Sequence, residues 1–162
     1  MLSGTNDGWL MRGIVMIPID DEPGEIRYEI RADKLWRTLG AVIHIGDESI
    51  DISVNDNEWW VNDVMNVDLR GCVDIDLGFT PATNTLPIKR LGLDVGESAE
   101  TVSAWLRFPE MDFTAATQSY TRVSDNLWRY RTGHTDNDLE VSADGVVCRY
   151  GDLWWGSVEA VT

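Results

Sequence analysis

The chain has 162 residues, 43% of them hydrophobic, which suits one domain over residues 1–162 and excludes a disordered chain. Its net charge of −15 excludes a nucleic-acid partner, because binding a phosphate backbone needs a basic surface. No run approaches the roughly 20 apolar residues of a membrane span, and the start, "MLSGTNDGWLMRG", has neither the basic patch nor the apolar stretch of a secretion signal, so a soluble, cytoplasmic protein is expected.

In chain order, short alternating runs follow one another, separated by Asp, Asn and Gly, and no long amphipathic helix interrupts them. "GWLMRGIVMIPI", "EIRYEIRAD", "LWRTLGAVIHIG" and "SIDISVN" form a first set, broken by the turn cues "DDEPGE", "RADK" and "GDE". A second set runs "EWWVND", "CVDIDLG", "AETVSAWLRFP", "DFTAATQSYTRVSD", "NLWRYRTG", "DLEVSADG", "VVCRYG" and "LWWGSV". The "SADG" between two late runs marks a tight hairpin, since Asp-Gly supplies positive φ. About a dozen strands with short links imply an all-β fold, a single curled antiparallel sheet closing into a roll or open barrel.

The composition narrows the chemistry. Eleven arginines accompany only two lysines, Lys34 and Lys89, a balance that suits a salt-rich cytoplasm or reflects biased codons. Cys72 and Cys148 lie far apart in strand-like runs with no metal-ligand spacing, which reads as two reduced, buried thiols.

Asp74 and Asp76, in "DID", emerge on the same face of a strand, roughly 7 Å apart at the backbone. That spacing can hold a cation or form an acid/base pair, yet "DID" offers no third ligand, and a polar face paired with arginines explains it equally. His44 in "AVIHIG" and His134 in "TGHTDND" make a weak case for a metal or a triad; no serine elbow, phosphate loop or zinc-binding helix appears. No metal and no cofactor is expected.

The aromatic residues carry more. Trp105 shares a face with Arg107, Tyr120 with Arg122, and Trp128 and Tyr130 alternate with Arg129 and Arg131. On a curled sheet such a lining, joined by Trp36, fits a molecule with an apolar body and a polar head. The alternative is a core face backed by arginines that pair with surface carboxylates. "WW" at Trp59–Trp60 and at Trp154–Trp155 sends one ring to each face, so one ring of each pair is expected to leave the core as a contact surface for a ligand or a subunit.

The stretch "GCVDIDLGFTPATNTLPIKRL", with "VGESAETVSAWLRFPEMDF", "YTR", "LWRYRTG", "LEVSADGVV" and "YGDLWWGSV" after it, resembles a bacterial and archaeal family described as putative glycolipid-binding. The resemblance runs from about Gly71 to Val158 and extends more weakly upstream through "DGWLMRG", "IRYEIRAD" and "LWRTLGAV". It implies a spiral β-roll similar in shape to bacterial lipoprotein carriers, and a glycolipid ligand by analogy. Under that reading Asp74 and Asp76 accept bonds from sugar hydroxyls or pair with arginines such as Arg107, while "TPATNTLP", with Thr80 and Asn84 and its path restricted by Pro81 and Pro87, shapes one mouth of the roll; a purely structural crossover is the alternative for that loop.

The expected function is therefore non-catalytic binding of an amphipathic small molecule, a glycolipid among the candidates, by Trp36, Asp74, Asp76, Thr80, Asn84, Trp105, Arg107, Tyr120, Arg122, Trp128 and Tyr130. An enzyme acting on a lipid or sugar through Asp74, Asp76 or His44 is the alternative. A protein-interaction module built on the paired tryptophans is a third reading, and a homodimer is compatible with any of them.

Overall fold

The period-two pattern becomes strands throughout. The computed structural model describes residues 1–19 and 22–156, so Asp20 and Asp21 of the first turn cue and Ser157–Val158 of the last run lie outside it. The first sheet holds β1 (Leu2–Gly4), β2 (Gly8–Ile19), β3 (Glu22–Asp33), β4 (Thr38–Ile45), β5 (Glu48–Asn55), β6 (Glu58–Val61) and β7 (Val64–Met65) in chain order, an antiparallel meander. β3 shows the cause: Ile26, Tyr28, Ile30 and Ala32 are buried, while Arg27, Glu29 and Arg31 point outward. With Ile43 and Ile52 they form the floor of the larger core, each fully buried isoleucine contributing roughly 1.5–3 kcal/mol.

The second sheet runs β14 (Trp154–Trp155), β13 (Val147–Tyr150), β12 (Thr135–Val141), β11 (Leu127–Thr132), β10 (Phe113–Arg122), β9 (Ser98–Leu106), β8 (Asp74–Leu77) in spatial order. Together the sheets make a predominantly β structure, 59% strand and 9% helix, curled into a half-barrel. The expected all-β curled roll is what the structure shows, with two refinements. Among the described residues the strands form two seven-stranded sheets, and the second is mixed because β8 runs parallel to β9, pairing Asp74 with Ser103 and Asp76 with Trp105.

A parallel pair cannot be closed by a tight hairpin, and the chain spends residues 78–97 on the crossover. There "TPATNTLPIKRL", read from sequence as a mouth loop or a structural crossover, forms a 3₁₀ turn (Pro81–Asn84) leading into α1 (Thr85–Leu91). The Thr80 hydroxyl caps the turn by accepting the Ala82 N–H at 3.3 Å, and Pro81 sits where a helix needs no donor. Pro87 falls in the first turn of α1, whose amides have no partner to lose. Gly92 ends the helix at φ 56°, giving its N–H to the Ile88 carbonyl, with Lys89 and Arg90 in the last turn.

β8 is covered on both sides, as strands of parallel pairs usually are. Ile75 and Leu77, with Ala104 and Leu106 of β9, pack onto the first sheet's core. Three bonds hold that seam: Ile75 N–H to Thr38 Oγ1 at 3.0 Å, Thr38 N–H to Val73 O at 3.3 Å, and the Trp59 indole to Cys72 O at 3.0 Å. The opposite face of β8, bearing Asp74 and Asp76, lies under the turn and helix. Beyond α1 a smaller core gathers Ile88, Leu93, Tyr120, Trp128, Tyr130, Leu139, Val141 and Val147. Both cysteines are free; Cys72 is buried, its thiol pushed up to about 11 by burial and by the Asp74 charge, whereas Cys148 is half-buried.

Candidate functional site

The two carboxylates of "DID" have different fates. Asp74 is fully buried and held by Arg90 of α1, whose Nε and Nη2 donate to its two oxygens at 3.0 and 2.6 Å. The Thr101 hydroxyl donates a third bond at 2.8 Å and accepts one from Arg90 Nη2 at the same distance. A bidentate guanidinium with its neighbours satisfied is the geometry in which a buried ion pair offsets its desolvation. The expected partner, Arg107, is instead paired with Asp112 across the turn after β9.

Asp76, two residues on, is half-buried and reaches the surface of a cleft. Gln118 Nε2 donates to one of its oxygens at 2.6 Å and the Thr83 hydroxyl to the other at 3.2 Å. The network continues inward: Ser103 donates to Gln118 Oε1 at 2.8 Å, and the Tyr120 hydroxyl donates to Asn84 Oδ1 at 2.7 Å. Asn84 in turn gives its amide to Pro81 O at 3.0 Å, and Thr85 Oγ1 accepts the Val147 N–H at 3.3 Å. Nearly every polar side chain of the "DLGFTPATNT" run is thus used in pinning the crossover to β8, β10 and β13. Burial lifts the Asp76 carboxyl, the Gln118 and Thr83 bonds pull it down, and Asp74 adds a further push upward, leaving it at about 6.

The cleft has a volume of about 660 Å³, within the usual range for small-molecule sites. Asp76 and Asn84 lie on its wall with Phe79 and Thr80 from the crossover. Trp105, 37% exposed, and Tyr130 come from the second sheet, Leu153 and Trp154 from its far edge, and Ile17 from β2 of the first sheet. Gly78 makes the approach of Trp105 possible: a Cβ there would lie 2.8 Å from Leu106 O and 3.1 Å from Trp105 Nε1.

Of the residues expected at a binding surface, the structure brings Asp76, Thr80, Asn84, Trp105 and Tyr130 to the cleft. Six others it places elsewhere. Trp36 is buried in the larger core, stacked on Trp9 at 4.1 Å between ring centres, and takes φ 67° to get there. Asp74 and Tyr120 stand behind the wall, tied to Arg90 and Asn84. Trp128 is core, with Arg122 over its ring at 6.0 Å and donating to Leu93 O at 3.0 Å, and Arg107 is spent on Asp112. His44 is exposed on β4 in the other sheet, whereas His134, in the β11–β12 turn, lines the cleft. Among the paired tryptophans, Trp59 is core and Trp60 half-buried; Trp154 enters the cleft wall and Trp155 is exposed. The reading of single residues missed Phe79, Leu153 and Ile17, which carry no polar signal, and Tyr150; all four reach the cleft through tertiary placement.

The family model described as "Putative glycolipid-binding" matches residues 1–155. The crystal structure of a DUF1089 family protein from Pseudomonas aeruginosa is 26% identical, with a TM-score of 0.82, covering 96% of this chain and 89% of that one. No curated protein matches the chain.

Two outcomes follow. Arg90→Met, which leaves Asp74 buried without its partner, should destabilise folding by about 3 kcal/mol, and the Asp74→Asn/Arg90→Met pair by less than the sum of the singles, measured by denaturant unfolding. For Asp76, a carboxyl raised in the folded state favours folding below its unfolded value near 4, and that contribution disappears as pH rises through about 6. The stability of the wild type relative to Asp76→Asn should therefore fall by on the order of 2 kcal/mol between mildly acidic and neutral pH; a difference flat with pH contradicts the assignment.

Proposed function

This chain belongs to the putative glycolipid-binding family, and from that premise we propose that it binds an amphipathic small molecule of glycolipid type in the cleft beside Asp76, without transforming it. The observation that carries the reading is the pairing, in one cleft, of the half-open Trp105 with the Asp76 carboxylate. An indole face stacks on the apolar side of a sugar ring, and a carboxylate with spare lone pairs accepts its hydroxyls. Phe79, Leu153 and Ile17 supply apolar wall for the lipid portion.

An enzyme acting on the same class of molecule has one observation in its favour, since a carboxyl raised to about 6 beside a cleft also lined by His134 resembles a general acid. Against it, Asp74 has both oxygens bound to Arg90 and Thr101, so the neighbouring carboxylate is not free to act as the second member of a glycosidase pair.

Titration with glycosides, fatty acids and other amphiphiles below their micelle concentrations should give a saturable change in tryptophan fluorescence for at least one glycoside. Trp105→Ala should weaken it by about tenfold in protein that remains folded, the scale of a lost aromatic contact. Silence across the panel removes the binding reading; a hydrolysed glycoside whose production Asp76→Asn abolishes moves the assignment to the enzyme.

A further inference from the structure

The sequence pattern places arginines beside the aromatic residues, and the fold takes those arginines away. Among the described residues, no lysine or arginine lines the cleft. Arg90 is locked on Asp74, Arg107 on Asp112, and Arg122 on the Leu93 carbonyl. On the outer side of the β11–β13 strands, Arg129, Arg131 and Arg149 pair with Asp136, Asp138, Glu140 and Asp152. Lys89 lies over the Trp36 ring, 5.4 Å from its centre.

Resting on the reading that this cleft binds an amphiphile, we propose that it selects lipids with an uncharged, hydroxyl-rich head group and refuses those with a phosphate or carboxylate head. The charged group on the cleft wall is the Asp76 carboxylate. Each Asp76 oxygen receives one bond from the protein and keeps further lone-pair capacity toward the opening. A sugar hydroxyl is a donor and makes a charge-assisted bond there. An ionised phosphate or carboxylate has few or no donors to give, meets a like charge, and loses its hydration without a cation to replace it. The net charge of −15 adds a repulsive field to its approach. Although burial raises the Asp76 carboxyl to about 6, it remains predominantly ionised at neutral pH, so its charge opposes an anionic head.

The test holds the tail constant and changes the head: dodecyl maltoside against dodecyl phosphate, both below their micelle concentrations, at neutral pH and fixed ionic strength, read by tryptophan fluorescence. The wild type should bind dodecyl phosphate at least tenfold more weakly than the maltoside. His134→Arg, at an exposed turn position on the cleft wall, should strengthen binding of dodecyl phosphate at least severalfold by supplying the missing cation. Equal binding of the two heads by the wild type overturns the head-group inference and leaves amphiphile binding standing. A His134→Arg protein that gains nothing toward dodecyl phosphate overturns its electrostatic cause. The absence of a saturable response to either probe removes the binding reading, and this inference with it.

Discussion

The buried pairing of Asp74 with Arg90 fixes the rest of the site. It joins the edge strand of the second sheet to the last turn of α1, sixteen residues further along the chain, with the carboxylate out of contact with solvent. Between the two residues lie the rest of β8 and the first part of the crossover that allows β8 to lie parallel to β9. Because both oxygens of Asp74 are taken, Asp76 is the member of the pair that faces the opening, and Gln118 and Thr83 set its direction. The cleft is thus the outer boundary of a polar network whose inner part is structural.

This arrangement separates two roles that lie side by side in one motif. Thr80, Thr83, Asn84 and Thr85 are held by the crossover's own capping and by bonds to neighbouring strands. Their chemical similarity to a sugar-binding surface comes from the need to satisfy a turn buried against a sheet, where an unpaired polar group costs about 1–3 kcal/mol. The face left for a ligand is narrower: one carboxylate edge, the half-open indoles of Trp105 and Trp154, a histidine turn and an apolar wall drawn from separated parts of the chain.

The strands were legible because alternation follows directly from which side of a sheet is buried, as Ile26, Tyr28, Ile30 and Ala32 show. The division into two sheets was less so, since a meander and its continuation look alike until a parallel pair intervenes. α1 is seven residues long and carries a proline, too short for a hydrophobic stripe, so nothing periodic marked it. At the site, local pattern indicated Asp76, Trp105 and Tyr130 but assigned Arg107, Arg122 and Trp36 to the same surface. Strand alternation gives a side chain's face, and it cannot give the partner that a turn or a curled neighbour brings to it: Arg107 meets Asp112 across a tight turn, and Trp36 is turned into the core by its left-handed backbone. Arg90, the partner that Asp74 uses, stood within the same motif, but its selection depends on the helix that the motif conceals.

The central claim is that a glycosyl amphiphile enters the cleft between Trp105 and Trp154. The most direct measurement is the set of indole N–H resonances in a proton–nitrogen correlation spectrum as dodecyl maltoside is added. Trp105 and Trp154 line the cleft, whereas Trp59 is bonded to Cys72 O and Trp128 is packed in the smaller core. The Trp105 and Trp154 resonances should move together to saturation while those of Trp59 and Trp128 stay in place. Movement confined to other tryptophans, or none at all, would contradict it.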